Sequence, residues 1–358
     1  MSNTASSVIT GTGSYIPRRK ITNNHFLCNN FLNPKGEPFD KENKEIIEKF
    51  TCITGIKERR YASDNMLASD MGAIAGKHAL ESAQFEPENL DFIIVAHNFG
   101  DIRSDNRKVN IVPSLASRIK HQLGIQNPNC VAYDLPFGCP GWLQGVIQSD
   151  CYIRSGDAQS SLVIGTETLS RVCDPHDRDS MIYADGAGAV LLESRSYETR
   201  KGVRSYASRT DSNEAYYLRM ETSYNPECDD TLYLKMDGRK LYQYALTNVP
   251  VAIKTCLDKA GIDIDGVSKL LIHQANAKMD EAILERLFQL YDKSEIPAEF
   301  MPMTISRLGN SSVATVPTLL DLVRRRQMNG HQIDSGDVLV LASVGAGMNI
   351  NAVTYELP

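Results

Sequence analysis

The chain repeats itself at about half its length, and this limits its possible folds more than any other feature. Ala79–Ala96 reads as a helix end, an acidic turn and a buried strand, and Cys256–His273 follows the same plan. Ile153-Arg-Ser-Gly-Asp157 leads into the strand Ser161-Leu-Val-Ile164; Ile333-Asp-Ser-Gly-Asp337 leads into Val338-Leu-Val-Leu-Ala342. The shared offset of about 180 residues marks duplication of a domain-sized unit, not a short solenoid period. The pattern predicts strands near 8–11, 91–96, 130–134, 161–166 and 187–193, then 203–208, 268–273, 299–303, 337–343 and 350–356. Helices are expected near 42–52, 67–84, 113–123 and 141–154, then 240–260, 277–291 and 312–327. Short apolar strands between amphipathic helices call for sheets covered on both faces. The expected architecture is α/β, in two packed halves spanning 1–198 and 199–358.

Composition removes several function classes. A 358-residue chain that is 42% hydrophobic can bury a large core. The net charge of −6 argues against nucleic acid as a partner. The one tight basic run, Arg324-Arg325-Arg326, closes a helical pattern, where cations complement the dipole. No apolar run nears the ~20 residues of a membrane span. The N-terminus lacks the charged and apolar regions of a secretory signal, so a cytoplasmic location is expected. Of eight cysteines, none forms CxxC or pairs with a His at zinc spacing, which points to reduced thiols and no metal.

Cys139 sits in Phe-Gly-Cys-Pro-Gly, between the β-like Cys130–Tyr133 and a helical pattern opening at Trp142. A thiol at a helix N-terminus meets partial positive charge, which favours thiolate. Duplication matches this element to Gly309-Asn-Ser-Ser in the second half. Cys139 and Asn310 should then face one another across a pseudo-twofold axis. His273 ends the apolar strand Lys269–Ile272, where ligands gather in α/β sheets. His25, His121, His176 and His331 lie in polar settings; His97 also follows a strand, but its counterpart in the other half is close to Gln274.

Cys139, His273 in His-Gln-Ala-Asn and Asn310 in Gly-Asn-Ser-Ser together resemble the Cys-His-Asn triad of β-ketoacyl-acyl-carrier-protein synthase III, a thiolase-like condensing enzyme. Gly11-Thr-Gly-Ser-Tyr-Ile-Pro17, Thr54–Arg59, Cys173–Arg178, Asp185–Ala189 and Ser343–Gly347 extend the likeness over nearly the whole chain. Gly11-x-Gly13 lacks the third Gly of a dinucleotide fingerprint, so a Rossmann reading is rejected.

The resemblance implies a five-layered αβαβα thiolase-like fold and Claisen condensation without a cofactor. It assigns the oxyanion hole to backbone N–H groups of Cys139 and of the Gly345-Ala346-Gly347 turn. It implies that His273 and Asn310 hold the developing enolate. It places acyl carrier protein against Lys278 and Arg286, keeps Arg178 at the substrate entrance, and makes the protein a homodimer whose 98–113 loop closes the partner's acyl pocket.

The sequence departs from primary synthases at the entrance. Lys49 and Ile53 stand where a Trp and an Arg clamp adenine, and Val112 stands where acetyl-primed members carry Phe. Segment 28–45 also looks extended. These features are most similar to specialised members such as the dialkylresorcinol-forming ketosynthases. The alternatives are ordinary initiation of fatty-acid synthesis with short acyl-CoA, or a carrier-binding partner that does not condense.

Overall fold

Alternating short apolar strands and amphipathic helices must bury both faces of each sheet, and the chain does so twice. The computed structural model describes residues 4–358. The first part runs β1 (Thr4–Tyr15), β2 (Arg19–Thr22), α1 (Asn43–Thr54), β3 (Glu58–Tyr61), α2 (Ala68–Ala83), β4 (Phe92–Ala96), β5 (Asp101–Ile102), β6 (Val109–Asn110), α3 (Leu115–Gln122), β7 (Val131–Leu135), α4 (Gly141–Ser155), β8 (Ser160–Thr168) and β9 (Asp185–Tyr197). There follow β10 (Gly202–Thr210), β11 (Leu218–Thr222), β12 (Leu232–Met236), α5 (Gly238–Ala260), β13 (Lys269–Ile272), α6 (Ala277–Gln289), α7 (Ile305–Leu308), α8 (Thr315–Arg324), β14 (Val338–Gly345) and β15 (Asn349–Glu356).

The first sheet has the order β1-β9-β8-β4-β7 and the second β10-β15-β14-β13. Their hydrogen-bonding patterns match: β8–β4 and β14–β13 are parallel, whereas β1–β9, β8–β9, β10–β15 and β14–β15 are antiparallel. Helices α2 and α3 cover the outer face of the first sheet, and α5 and α6 that of the second. Between the sheets lie α4 and α8, one from each half, in a shared apolar core that includes Trp142, Val146, Leu319 and Val323. This is the thiolase-like αβαβα layering. Full burial of one such aliphatic side chain is worth about 1.5–3 kcal/mol, so the middle layer ties the halves together.

The opening Gly-x-Gly has a packing role. A Cβ on Gly11 would sit 2.1 Å from the Ala79 carbonyl oxygen, and one on Gly13 2.2 Å from that of Ala75. These glycines let β1 lie directly on α2. Among the described residues, no helix is long and apolar enough to cross a membrane.

Two expectations are corrected. The strand expected at 299–303 does not form. That segment accepts one backbone bond from β13, Leu270 N–H donating to Phe300 O at 2.9 Å. Pro302, which has no N–H, then stands where a ladder would continue. The helix expected over 312–327 begins instead as a tight turn at Ser312–Ala314, and α8 ends at Arg324. The β11–β12 hairpin has no counterpart in the sequence expectations. Its Lys235 is fully buried and ion-paired with Asp174 at 2.5 Å and Asp177 at 3.2 Å.

Candidate active site

Cys139 lies on the turn between β7 and α4. Gly138 adopts φ 66°, and a Cβ there would come within 2.6 Å of the Ala346 carbonyl oxygen. A Cβ on Gly345 would lie 2.5 Å from the Cys139 backbone nitrogen. The Cys139 turn and the 345–347 turn therefore interlock through two missing side chains. His273 follows β13 and is held by its backbone N–H, which donates to the Ala342 carbonyl at 2.8 Å. Asn310 is fixed from both sides: its N–H donates to Ile182 O at 3.0 Å, and its carbonyl accepts from Ala184 N at 2.7 Å.

Cys139, His273, Asn310, Gly345 and Ala346 line a single cavity of about 1210 Å³. The Asn310 side-chain oxygen accepts the Ser312 N–H at 2.8 Å. That bond leaves its amide NH₂ as the group free to donate. The cavity walls come from α1 and the segment before it (Phe39, Ile46, Phe50), from the hairpin (Leu218, Leu234, Met236) and from α5 (Leu241, Tyr242). Segment 28–45, read as extended from sequence, thus contributes wall. The buried Lys235 pairs pin the hairpin to the Asp174–Asp177 loop.

The thiol contradicts the simple dipole expectation. Burial pushes Cys139 up to about 11; a hydrogen bond from Ser312 opposes the shift, and the Glu167 charge adds to it. Desolvation is the largest of these influences, and α4 itself starts two residues later, at Gly141. Burial also pulls His273 down to about 4, with the Ser312 backbone resisting. At neutral pH the site therefore rests as thiol and neutral imidazole. Glu167, 1% exposed, is raised by burial to about 7.

Comparison with known proteins agrees with this geometry. Residues 133–212 match the 3-oxoacyl-[acyl-carrier-protein] synthase III family, and residues 257–357 match its C-terminal counterpart. The β-ketoacyl-[acyl-carrier-protein] synthase III of Sphingopyxis alaskensis is 30% identical over 356 residues, covering 99% of this chain and 100% of the relative.

The chain belongs to the β-ketoacyl-acyl-carrier-protein synthase III family.

It is thus a condensing acyltransferase, a ketosynthase of the Claisen type. Among solved structures, synthase III from Aquifex aeolicus superposes with TM-score 0.79 at 29% identity, covering 98% of this chain and 100% of that one. A priming β-ketosynthase of a polyketide biosynthetic pathway superposes with TM-score 0.81 at 26% identity, covering 100% and 98%.

The remaining expected residues of this synthase are spread outward. Arg178 borders the cavity, with its guanidinium 5.0 Å from the centre of the Phe39 ring. Lys49 and Ile53 also line the wall. Lys278 and Arg286 lie exposed on α6, outside the cavity, although Asn276 and Met279 at the start of that helix face it. Val112 is 82% exposed and absent from the wall of its own chain's cavity.

His97 is buried and turned to structural work: its ring accepts the Gly100 N–H at 3.0 Å and meets Asp134 at 3.0 Å. Sequence reasoning missed Ser312, whose hydroxyl donates to the Cys139 sulfur at 3.3 Å. It also missed Asn98 and Glu167 behind Ser312.

Proposed function

We propose that this synthase joins a Cys139-bound acyl group to a carrier-bound β-ketoacyl or malonyl thioester, in specialised lipid synthesis of the dialkylresorcinol type. The supporting observation is the cavity reaching Cys139. At about 1210 Å³ it exceeds the roughly 300–1,000 Å³ common for small-molecule sites, and its walls are largely aliphatic and aromatic. A short priming group needs little of that space, whereas two acyl chains use it.

In the first half-reaction the Cys139 sulfur attacks the thioester carbonyl. The new S–C bond replaces the carrier's, and the thiol proton ends on the departing carrier sulfur. Backbone N–H groups of Cys139 and of the Gly345–Ala346 turn hold the oxyanion. In the second, the extender loses carbon dioxide, the departing Cys139 sulfur then taking a proton from solvent, or it loses an α-proton that ends on that sulfur. His273, neutral and able to donate, and the Asn310 amide hold the enolate oxygen. The carbon nucleophile attacks the acyl carbonyl, and the Cys139 sulfur leaves. Asn suits this position because it donates and adds no negative charge. Acyl carrier protein docks on α6 at Lys278 and Arg286, and Arg178 meets the incoming thioester arm. The enzyme works as a homodimer, each 98–113 loop closing its partner's pocket; a fully active monomer by light scattering at micromolar concentration contradicts this.

The second reading is initiation of fatty-acid synthesis with short acyl-CoA, favoured by the names of the curated relatives. Product analysis with malonyl-carrier and β-ketoacyl thioesters, side by side, separates the two. A cyclisable product formed only from the β-ketoacyl substrate supports the first reading, and acetoacetyl-carrier as the sole product supports the second.

A further inference from the structure

A chain of partly buried hydrogen bonds runs from the first sheet to the Cys139 sulfur. One carboxylate oxygen of Glu167, at the end of β8, accepts from the Asn98 backbone N–H at 2.6 Å and from its side-chain NH₂ at 2.7 Å. The same NH₂ donates its other hydrogen to the Ser312 hydroxyl at 3.1 Å. The Ser312 hydroxyl in turn lies 3.3 Å from the Cys139 sulfur. Meanwhile the Ser312 backbone N–H is held by Asn310 at 2.8 Å.

The order of donors fixes a proton. A hydroxyl has one hydrogen to give. Because Ser312 receives from Asn98, that hydrogen is left for the sulfur. The Glu167 oxygen that meets Asn98 accepts both bonds, so it holds the nitrogen side of the Asn98 amide inward and opposes the flip that would present an acceptor. Ser312 holds this place at a backbone cost: its φ is +53°, in the left-handed region that non-glycine residues rarely occupy. Such strain collects where geometry serves function. Other titratable groups around the sulfur are His273 and Tyr183 on the cavity wall and Glu167 at the far end of the chain.

We propose that Asn98 and Ser312, anchored by Glu167, are positioning residues that aim one hydroxyl proton at the Cys139 sulfur and so set its reactivity. The hydrogen bond stabilises the sulfur when it carries negative charge: as it attacks a thioester and again as it leaves the condensed product. It thereby offsets part of the burial penalty on the thiolate. This rests on Cys139 as the nucleophile but not on any particular extender or product.

The test uses the full chain without substrate. Iodoacetamide alkylation of Cys139 is followed across pH by peptide mapping, because Cys28, Cys52 and Cys151 are also exposed. Ser312→Gly removes the hydroxyl while tolerating the backbone angle. It should raise the pH midpoint of Cys139 alkylation by about one unit, or roughly tenfold slower alkylation at a fixed lower pH. Asn98→Asp replaces the donor with an acceptor that draws the Ser312 hydrogen away, and should shift the midpoint in the same direction. A structural role alone would change melting and leave the midpoint in place. If folded Ser312→Gly keeps the wild-type midpoint, the proposal is wrong, whatever the fate of Asn98→Asp. A wrong reading of the condensation partner would leave this readout untouched, since no thioester is present.

Discussion

The two halves share a frame and differ at a few positions, and those differences bring Cys139, His273 and Asn310 to one cavity. Strands β4 and β13 occupy equivalent places, each parallel to its neighbour, β8 or β14. Strand pleating turns alternate residues toward the middle layer: Ile94 and Ala96 in one half, Leu271 and His273 in the other. Ala96 packs against the start of α4, 3.2 Å from where a Gly141 Cβ would stand. His273, at the matching position, faces the cavity instead. One residue further on, the halves agree again. His97 ties its strand end to Gly100 and Asp134; Gln274 ties its own to the 302–305 segment, donating to Pro302 O at 2.8 Å and accepting Thr304 N at 2.8 Å. The lesson is that duplication supplies positions, and single substitutions at inward-facing ones divide the labour. In the proposed mechanism, the first half offers the sulfur and the second the donors that act on carbon.

Breaking that division should have its largest effect at the sulfur. Cys139→Ala should abolish acyl transfer with the fold intact, since a smaller residue stands in the same turn. Peptide mapping after exposure to an acyl thioester should put the label on Cys139 of the wild type; label on Cys130 or Cys151 instead overturns the assignment. Next in size are the second-half donors. His273→Ala and Asn310→Ala should still acylate yet condense about 10²–10³-fold more slowly, the usual loss of one such donor. Asn310→Asp should be at least as damaging, because it sets an acceptor beside an enolate. Unimpaired condensation by the Asn310→Ala variant removes that residue from the mechanism.

The buried imidazole also sharpens the comparison through stability. Its folded pKa, about 4, lies below the ordinary 6.5. The unfolded chain therefore binds the extra proton between those values. The stability that depends on neutral His273 is complete above pH 6.5 and is lost as pH falls toward 4, by up to about 3 kcal/mol. Denaturant titrations should show His273→Gln flattening this acid loss; an unchanged pH slope contradicts it. The strand-end ties should behave alike in both halves. Gln274→Leu and His97→Leu should each cost about 1–3 kcal/mol by stranding buried partners, read as lower melting temperature. A large loss for one and none for the other breaks the equivalence. The smallest expected effect is selectivity. On the proposed dimer, Val112 would open the partner's pocket, and each buried methylene adds about 0.8 kcal/mol, roughly fourfold. Medium-length acyl thioesters should then exceed acetyl by more than tenfold in kcat/KM, and Val112→Phe should reverse the order. Preference of the wild type for acetyl over octanoyl sinks the gate argument.

Much of this was legible in the sequence because it rests on periodicity. The offset between Ala79–Ala96 and Cys256–His273 gave the duplicated sheets, and strand ends, glycine turns and the duplication, together with the family resemblance, singled out Cys139, His273 and Asn310. What escaped depends on contacts between distant segments. Pro302 ends a strand that the apolar run at 299–303 suggested. Lys235 reads as a surface residue until Asp174 and Asp177 are seen beside it. The Cys139 thiol looked activated by a helix end, yet burial in a cavity built from segments far apart in the chain pushes it the other way. Ser312 becomes visible only when the two halves meet.

The central claim, that the halves divide acyl capture from carbon–carbon bond formation, is tested most directly by intact mass of the Asn310→Ala variant. The variant is mixed with an acyl thioester and then with extender thioester. It should gain the acyl mass as the wild type does and keep it, while the wild type returns to its starting mass. Failure to gain the acyl group, or its discharge at the wild-type rate, would contradict the account.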